Sequence, residues 1–421
     1  MTMKTTTTAS IQRRARVGAH IAGAASLLLI ASIGSVSAKG KPPKPGDGGG
    51  GASPVDYELT WIPGTYGDTQ IADVNSSGIA VGTYYDSSGT RRAFWTSADG
   101  IINPLDDVWV LPAGYEGWSI RPTLSMRIND SNQVCGHLVN DQSFEKETFT
   151  ANLLSPLSLL PLGPIGNGIE MNQNGDILLP RRGIYCRSLN QIFEIPEIEL
   201  GIPTGFNDNL QATFVSWRDD GGQGFDGSFR YSFDPATGTG VLQDLGSTLP
   251  GGSIPIARDI LNDGSVVGFY YSNEARKSDR KAKAGFMDGD TLVWSEFDAP
   301  LPTGGDIWIQ RDYTTLRPAA SALSANEFGQ VLGGYDVQNL RHGTDLWLLD
   351  PDDGLLEIDD LVFGADLGAV DNFRNWTSFW NVRMSEIEPG TTYGVIAGSI
   401  DPVDRSVNQC GFILTPREVL P

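Results

Sequence analysis

Once the first 38 residues are set aside, His137 and His342 are the two imidazoles that could carry a proton near neutral pH. Neither stands in a catalytic motif. The chain has no Gly-x-Ser-x-Gly elbow, no His-Glu-x-x-His pair and no glycine-rich phosphate loop, so a nucleophile–base couple, a zinc centre and a nucleotide site all lack their local signatures. No cofactor is implied. His137 follows Cys135-Gly136 in an apolar stretch and reads as a core or channel histidine, while His342 reads as a loop residue. Cys135, Cys186 and Cys410 lack metal-ligand spacing, and their odd number leaves at least one unpaired within the chain. They read as small buried hydrophobes, with a Cys135–Cys186 bridge as the alternative. The catalytic route left open is a pair of carboxylates a few ångströms apart, the arrangement of a carbohydrate-active hydrolase or lyase. With 51 Asp and Glu, such acids are too numerous for any to stand out. "DPDDG" from Asp350 lacks the alternate-position acids and later Glu of a calcium loop and reads as a turn.

Recognition chemistry is better represented. Three long irregular stretches carry aromatic and arginine side chains. Residues 106–123 hold Trp118 and Arg121; 301–318 hold Trp308, Arg311, Tyr313 and Arg317; 362–381 hold Arg374, Trp376 and Trp380. Trp and Arg dominate binding hot spots, and flat rings stack on sugars and peptides. Trp118, Arg121, Trp308, Arg311, Tyr313, Arg374, Trp376 and Trp380 are therefore the candidate contacts for a carbohydrate or protein ligand. Packing between sheets is the alternative for the same residues. The stretch from Ser272, with Arg276, Lys277, Arg280, Lys281 and Lys283, reads as a solvated loop or else as a contact for an anionic partner.

Loops of this kind need a rigid frame, and the frame is a repeat. "DVNSSGIAVGTYY" from Asp73 recurs as "RINDSNQVCGHLV" from Arg127, "EMNQNGDILL" from Glu170, "GFNDNLQATFV" from Gly205, "DILNDGSVVGFYY" from Asp259, "LSANEFGQVLGGY" from Leu323 and, without the Asn, "MSEIEPGTTYGVIAG" from Met384. The landmarks are Asn75, Asn129, Asn172, Asn207, Asn262, Asn326 and roughly Glu386. Each unit has a strand, an Asn-x-x-Gly turn, a second strand, a variable loop, a third strand such as Ala93-Phe94-Trp95 and a weaker fourth. Asp73, Asp130, Asp208 and Asp263 flank these turns and read as their caps. Four antiparallel strands per unit, repeated, predict a β-propeller. The last unit stops after its third strand, and an orphan strand, Tyr57–Trp61, precedes the first. The expectation is an all-β fold: a seven-bladed propeller of four-stranded antiparallel blades, with six or eight possible, closed by the N-terminal strand joining the last blade. The short Asn turns then open on one face and the long loops on the other.

"Asn-x-x-Gly … Gly-x-Tyr … Ala-Phe-Trp" resembles the repeat of the bacterial HAF-type extracellular repeat family, with Arg92-Ala93-Phe94-Trp95 nearest to the namesake tripeptide. The likeness covers about 57–416. It implies a secreted, β-propeller-like bacterial protein, and the family brings no catalytic residues to carry over.

The N-terminus fits export. Lys4, Arg13, Arg14 and Arg16 precede the apolar run Ile21–Ile33 and the small residues Val36-Ser37-Ala38, the pattern of a secretory signal peptide over 1–38. The run is shorter than the ~20 residues that span a bilayer. Residues 39–55 form a Gly/Pro-rich flexible linker, leaving 56–417 for the repeat domain. Cleavage removes four basic and no acidic residues from a chain of net charge −21. So acidic a protein repels nucleic acid and anionic lipid. The reading is of a periplasmic or extracellular monomer, with no nucleic-acid partner, no membrane insertion after cleavage and a binding rather than a catalytic role.

Overall fold

The turn that opens each repeat sets the geometry around it. In the computed structural model, the Asn75 N–H donates to the Ile79 carbonyl, its carbonyl accepts from Gly78, and its Oδ1 accepts from the Ile79 N–H at 3.0 Å. Asn129, Asn172, Asn207 and Asn326 repeat the pattern. The fourth turn residue is left-handed: Gly78, Gly175, Gly264 and Gly329 have φ between 75° and 83°. Asn132 and Leu210 hold the same conformation at 57°. Glycine takes it without strain, so the second and fourth copies, which lack it, look degenerate in sequence while keeping the turn. In the fifth copy the landmark position belongs to Leu261, one residue before the expected Asn262, and the acceptor role passes to Asp263 Oδ1, which takes the Ser265 N–H. In the seventh it belongs to Ser385 rather than Glu386.

The structure describes residues 55–64, 66–164, 169–179, 182–195, 201–217, 225–246, 249, 255–271, 282–297, 319–336, 346–358, 362–363, 376–387, 392–402 and 409–417. All belong to the second of two compact units, Pro42–Pro421; the signal-peptide and linker readings lie outside them, apart from Val55.

These residues form seven antiparallel sheets, the blades of a β-propeller. Blade 1 is Gln70–Val74, Ala80–Tyr85, Arg91–Thr96 and Ile102–Pro104. Blade 2 has a split first strand, Trp118–Ile120 and Arg127–Ile128, followed by Gln133–Asn140, Lys146–Asn152 and Ser155–Pro164. Blades 3 to 6 begin at Glu170, Ile202, Pro255 and Ala319. Blade 7 takes Trp376–Met384, Ile396–Pro402 and Cys410–Arg417 from the C-terminal end, and the N-terminal strand Asp56–Ile62 pairs with the last of these from Asp56↔Arg417 to Ile62↔Gly411. The chain's two ends thus close the ring as one antiparallel ladder, and Val362–Phe363 adds a short parallel strand beyond it.

Apolar side chains form seven seams, one between each pair of neighbouring blades. Ile62 and Ile413 meet Ile71 and Phe94 between blades 7 and 1; Leu105 and Val81 meet Phe149 and Met126 between blades 1 and 2. Blades 2 and 3, 3 and 4, 4 and 5, 5 and 6, and 6 and 7 are sealed likewise. The Gly of the second strand serves this packing. Gly82, Gly136, Gly333 and Gly398 sit directly opposite Phe94, Phe149, Trp347 and Phe412, whose rings lie over them. A Cβ on Gly82 would lie 2.1 Å from the Gln70 carbonyl oxygen. The repeat's Gly and aromatic are therefore two halves of one contact.

Candidate functional site

The residue two places before each turn lies at the end of the blade's first strand. In chain order these are Asp73, Arg127, Glu170, Gly205, Asp259, Ser324 and Arg383. Six of them line a cavity of about 100 Å³ at the mouth of the central channel, on the face of the Asn turns. Arg127 grips Glu170 of the next blade with two bonds of 2.7 Å, Nε to Oε2 and Nη2 to Oε1. Arg383 of blade 7 reaches across to the same Glu170 at 3.4 Å. Asp73 accepts the Ile128 N–H at 3.0 Å, and Asp259 accepts the Ala325 N–H at 3.0 Å and the Ser324 hydroxyl at 3.1 Å.

A second belt, one residue after each landmark, runs around the mouth. Asp130 Oδ1 accepts from Ser76 N–H at 2.8 Å, Gln173 Oε1 from Asp130 N–H, Asn262 Oδ1 from Asp208 N–H, Glu327 from Asn262 N–H and Glu386 from Glu327 N–H. Each of these side chains thus satisfies a backbone donor of the blade before it, a task that requires a polar residue at this position. The expected caps work mainly between blades: Asp73, Asp130 and Asp208 latch neighbours, and Asp263 alone caps its own turn.

The charges are strongly coupled. Burial would raise the Glu170 carboxyl, but the Arg127 and Arg383 guanidinium groups hold it below the usual range. Burial pushes Asp73 up to about 6 against the pull of Arg127, and Asp259 is raised for the same reason. Glu327 is pushed up to about 7 and Glu386 to about 8, by burial first and then by surrounding carboxylates, against one backbone bond each. Among the described residues no three His, Cys, Asp or Glu side chains converge as metal ligands do.

The eight candidates from the sequence fall elsewhere. Trp118 and Arg121 lie at the loop end of blade 2, both half-buried. The Trp118 ring packs on Tyr115 with centroids 5.2 Å apart. Their connection is pinned by Arg92 to Asp106 and Asp107, by Trp109 edge-on to Phe149, and by the Tyr115 hydroxyl on Glu147. Trp376 and Trp380, expected in a connection, belong instead to the first strand of blade 7, paired with Pro402 and Ser399. Trp308, Arg311, Tyr313, Arg317 and Arg374 lie outside the described residues, as do His342 and Arg276–Lys281 of the basic stretch. Asp350 makes the expected turn, accepting from the Asp352 and Asp353 N–H groups. The three cysteines form no disulfide among the described residues; Cys135 and Cys186 are buried and Cys410 is half-buried. The channel residues Arg127, Glu170, Asp259 and Arg383 were not singled out from the sequence. Their signal is a column: stacking the copies on their sequence landmarks puts a charge two places before in three of seven units, and in five once the fifth and seventh copies are set on Leu261 and Ser385.

No family model matches the sequence, and no curated protein matches it. Solved structures similar to the chain include the β-propeller domain of the Trilobed protease from Pyrococcus furiosus, with 10% identity and a TM-score of 0.48 over 87% of this chain and 96% of that one. A puromycin hydrolase matches with 13% identity and a TM-score of 0.44, over 80% of this chain and 51% of its own. An ulvan lyase, a polysaccharide lyase, matches with 12% identity and a TM-score of 0.40, over 85% and 97%. At such identities the likeness concerns the fold alone.

Proposed function

We propose that the chain is an exported, non-enzymatic binding propeller that takes a carbohydrate or protein ligand on its loop-rich face, with a repeat of the HAF type as its frame. One observation carries the choice against catalysis. Among the described residues, Asp73, Glu170, Asp259, Glu327 and Glu386 at the channel mouth each already serve a backbone N–H or an arginine of the ring itself. They hold blades together, and a carboxylate so engaged has little freedom to attack or protonate a substrate. The loop face, by contrast, offers a packed Tyr115–Trp118 pair beside Arg121. A glycan and peptide array probed with the chain lacking its leader tests the reading. Specific retention that is lost in Trp118→Ala or Arg121→Gln and unchanged in Glu386→Gln supports it.

A second reading, a carbohydrate-active hydrolase or lyase, is favoured by Glu327 and Glu386, whose raised values suit a proton donor near neutral pH. Release of reducing ends from a polysaccharide panel, abolished in Glu327→Gln, would establish that reading and overturn the first.

A further inference from the structure

Blade 2 is longer than its neighbour. Its second and third strands are Gln133–Asn140 and Lys146–Asn152, whereas those of blade 3 are Ile177–Leu179 and Gly183–Cys186. Counted from the shared turn, His137 stands one residue past Leu179, which pairs with Gly183 at the end of the described blade 3 hairpin. His137 is directly opposite Thr148, and Cys135 opposite Thr150, so all four occupy one face of the sheet. Cys135 packs against Ile177, Leu179 and Tyr185, which identifies that face as the one toward blade 3.

Three polar atoms on this face are buried with no hydrogen-bond partner among the described residues: His137 Nδ1, Thr148 Oγ1 and Thr150 Oγ1. His137 is 5% exposed, Thr148 0% and Thr150 7%. Such orphans cost stability unless something else completes them. The charges around them are of one sign. Burial, then Arg121, Lys146 and Arg127, push His137 down to about 4, and no acid acts on it. The Arg121 N–H donates to the His137 carbonyl at 2.8 Å, in the gap of the split first strand. The Arg182 guanidinium lies over Gly163, the residue paired with Thr148, and donates to the Leu162 carbonyl. Arg127 is neutralised by Glu170, but Arg121 and Lys146 have no carboxylate partner among the described residues. The acids of the neighbouring hairpin are engaged elsewhere: Asp141 with the Ser119 hydroxyl, Glu145 with Ser143 and Glu147 with Tyr115. In a chain of net charge −21, unpaired cations converging on unsatisfied donors are the arrangement an anion fits.

We propose that the loop end of blade 2, on its blade 3 side, binds an oxyanion group, a carboxylate or a sulfate, at Arg121 and Lys146, with the buried His137 imidazole and Thr148 hydroxyl directly beneath. The inference rests on the loop-face reading above and deepens it: the ligand taken there is acidic. A single such group held by two solvent-facing cations binds in the range of about 1–10 mM, weakening as salt rises.

The mature chain has only His137 and His342, so imidazole NMR resolves them, with His137→Asn providing the assignment. The full mature chain is titrated with sodium sulfate, with sodium acetate and with glucose as the neutral control. Saturable shifts of the His137 resonance by sulfate, acetate or both, and none by glucose, are expected; which anion acts identifies the group. Arg121→Gln and Lys146→Gln should each weaken binding about fivefold to tenfold, while Arg417→Gln, on blade 7 and paired with Glu58, leaves it unchanged. No shift with either anion, or equal binding in both charge variants with the histidine spectrum intact, overturns the proposal. The two readings fail separately. Array retention of a neutral glycan that persists in Arg121→Gln and Lys146→Gln sinks the oxyanion site and keeps the loop face. Anion binding at His137 with no array ligand retained does the reverse.

Discussion

Replacing Glu386 by Gln should make the propeller more resistant to alkali. The Glu386 carboxyl is pushed up to about 8, by burial first and then by Glu327, Asp259 and Asp130, against the single backbone bond from Glu327. In the unfolded chain it titrates at its ordinary value of 4.5. Between these values the folded protein holds a proton that the unfolded chain has released, so stability falls as pH rises through this window. The contribution is intact below about 4.5 and is lost above about 8. At ~1.4 kcal/mol per pH unit the gap corresponds to at most about 4–5 kcal/mol. Partial exposure of the group reduces this to about 2–3 kcal/mol. Gln keeps an oxygen for the Glu327 N–H, which Glu386 Oε2 accepts at 3.0 Å, and carries no charge. Unfolding entropy scales as ~2.1 cal/mol/K per residue, so for roughly 360 residues the gain amounts to about 3–4 °C. Calorimetric midpoints of wild type and Glu386→Gln should agree within about 1 °C near pH 5 and differ by about 3–4 °C near pH 9, the variant higher. Glu327, raised to about 7, drives the same alkaline loss in the wild type. His137, lowered to about 4, acts in the opposite sense between about 4 and its ordinary 6.5, so it opposes the Glu386 loss over the acid half of that window and leaves it alone above 6.5. Equal midpoints at the higher pH, or a less stable variant, would mean that Glu386 ionises there without cost, and the account of the belt as a set of desolvated latches would be wrong.

Arg127→Met should lower stability by about 3–5 kcal/mol, because Glu170 stays buried with only the longer contact to Arg383; adding Glu170→Met should recover most of the loss in the same melts. Asn129→Ala removes two bonds to Oδ1 and two from Nδ2, one of them to the Gln173 carbonyl of the next blade, and should cost about 2–3 kcal/mol in urea titrations. Thiol counting with a chromogenic disulfide should find Cys135 and Cys186 unreactive in the native protein and three thiols after denaturation; a single thiol would reveal a Cys135–Cys186 bridge.

Closure was legible because both ends announce it: a three-strand last unit and an orphan strand at Tyr57–Trp61 each leave an edge that only the other can cover. The hairpins were legible because an Asn that accepts its own turn's N–H and a left-handed glycine are local requirements. Blade 7's first strand was not. Its pairing shifts register between Trp376 and Ser378 and again between Trp380 and Arg383, which destroys the period-two alternation by which a strand is recognised and leaves an aromatic-rich stretch that reads as a loop. The channel charges were hidden for a different reason. Arg127 beside Ile128 or Glu170 beside Met171 looks, in any one copy, like the solvent face of an amphipathic strand. Only the ring gives the column an axis to face. The same ring makes such a column possible, since each acid meets a backbone donor or guanidinium of an adjacent blade before it meets another acid. Where two glutamates succeed one another, at Glu327 and Glu386, the donor supplied is a lone N–H, and there the carboxyls rise furthest. The belt is therefore weakest between blades 6 and 7, beside the blade that the chain ends must close, and alkaline opening should begin at that seam.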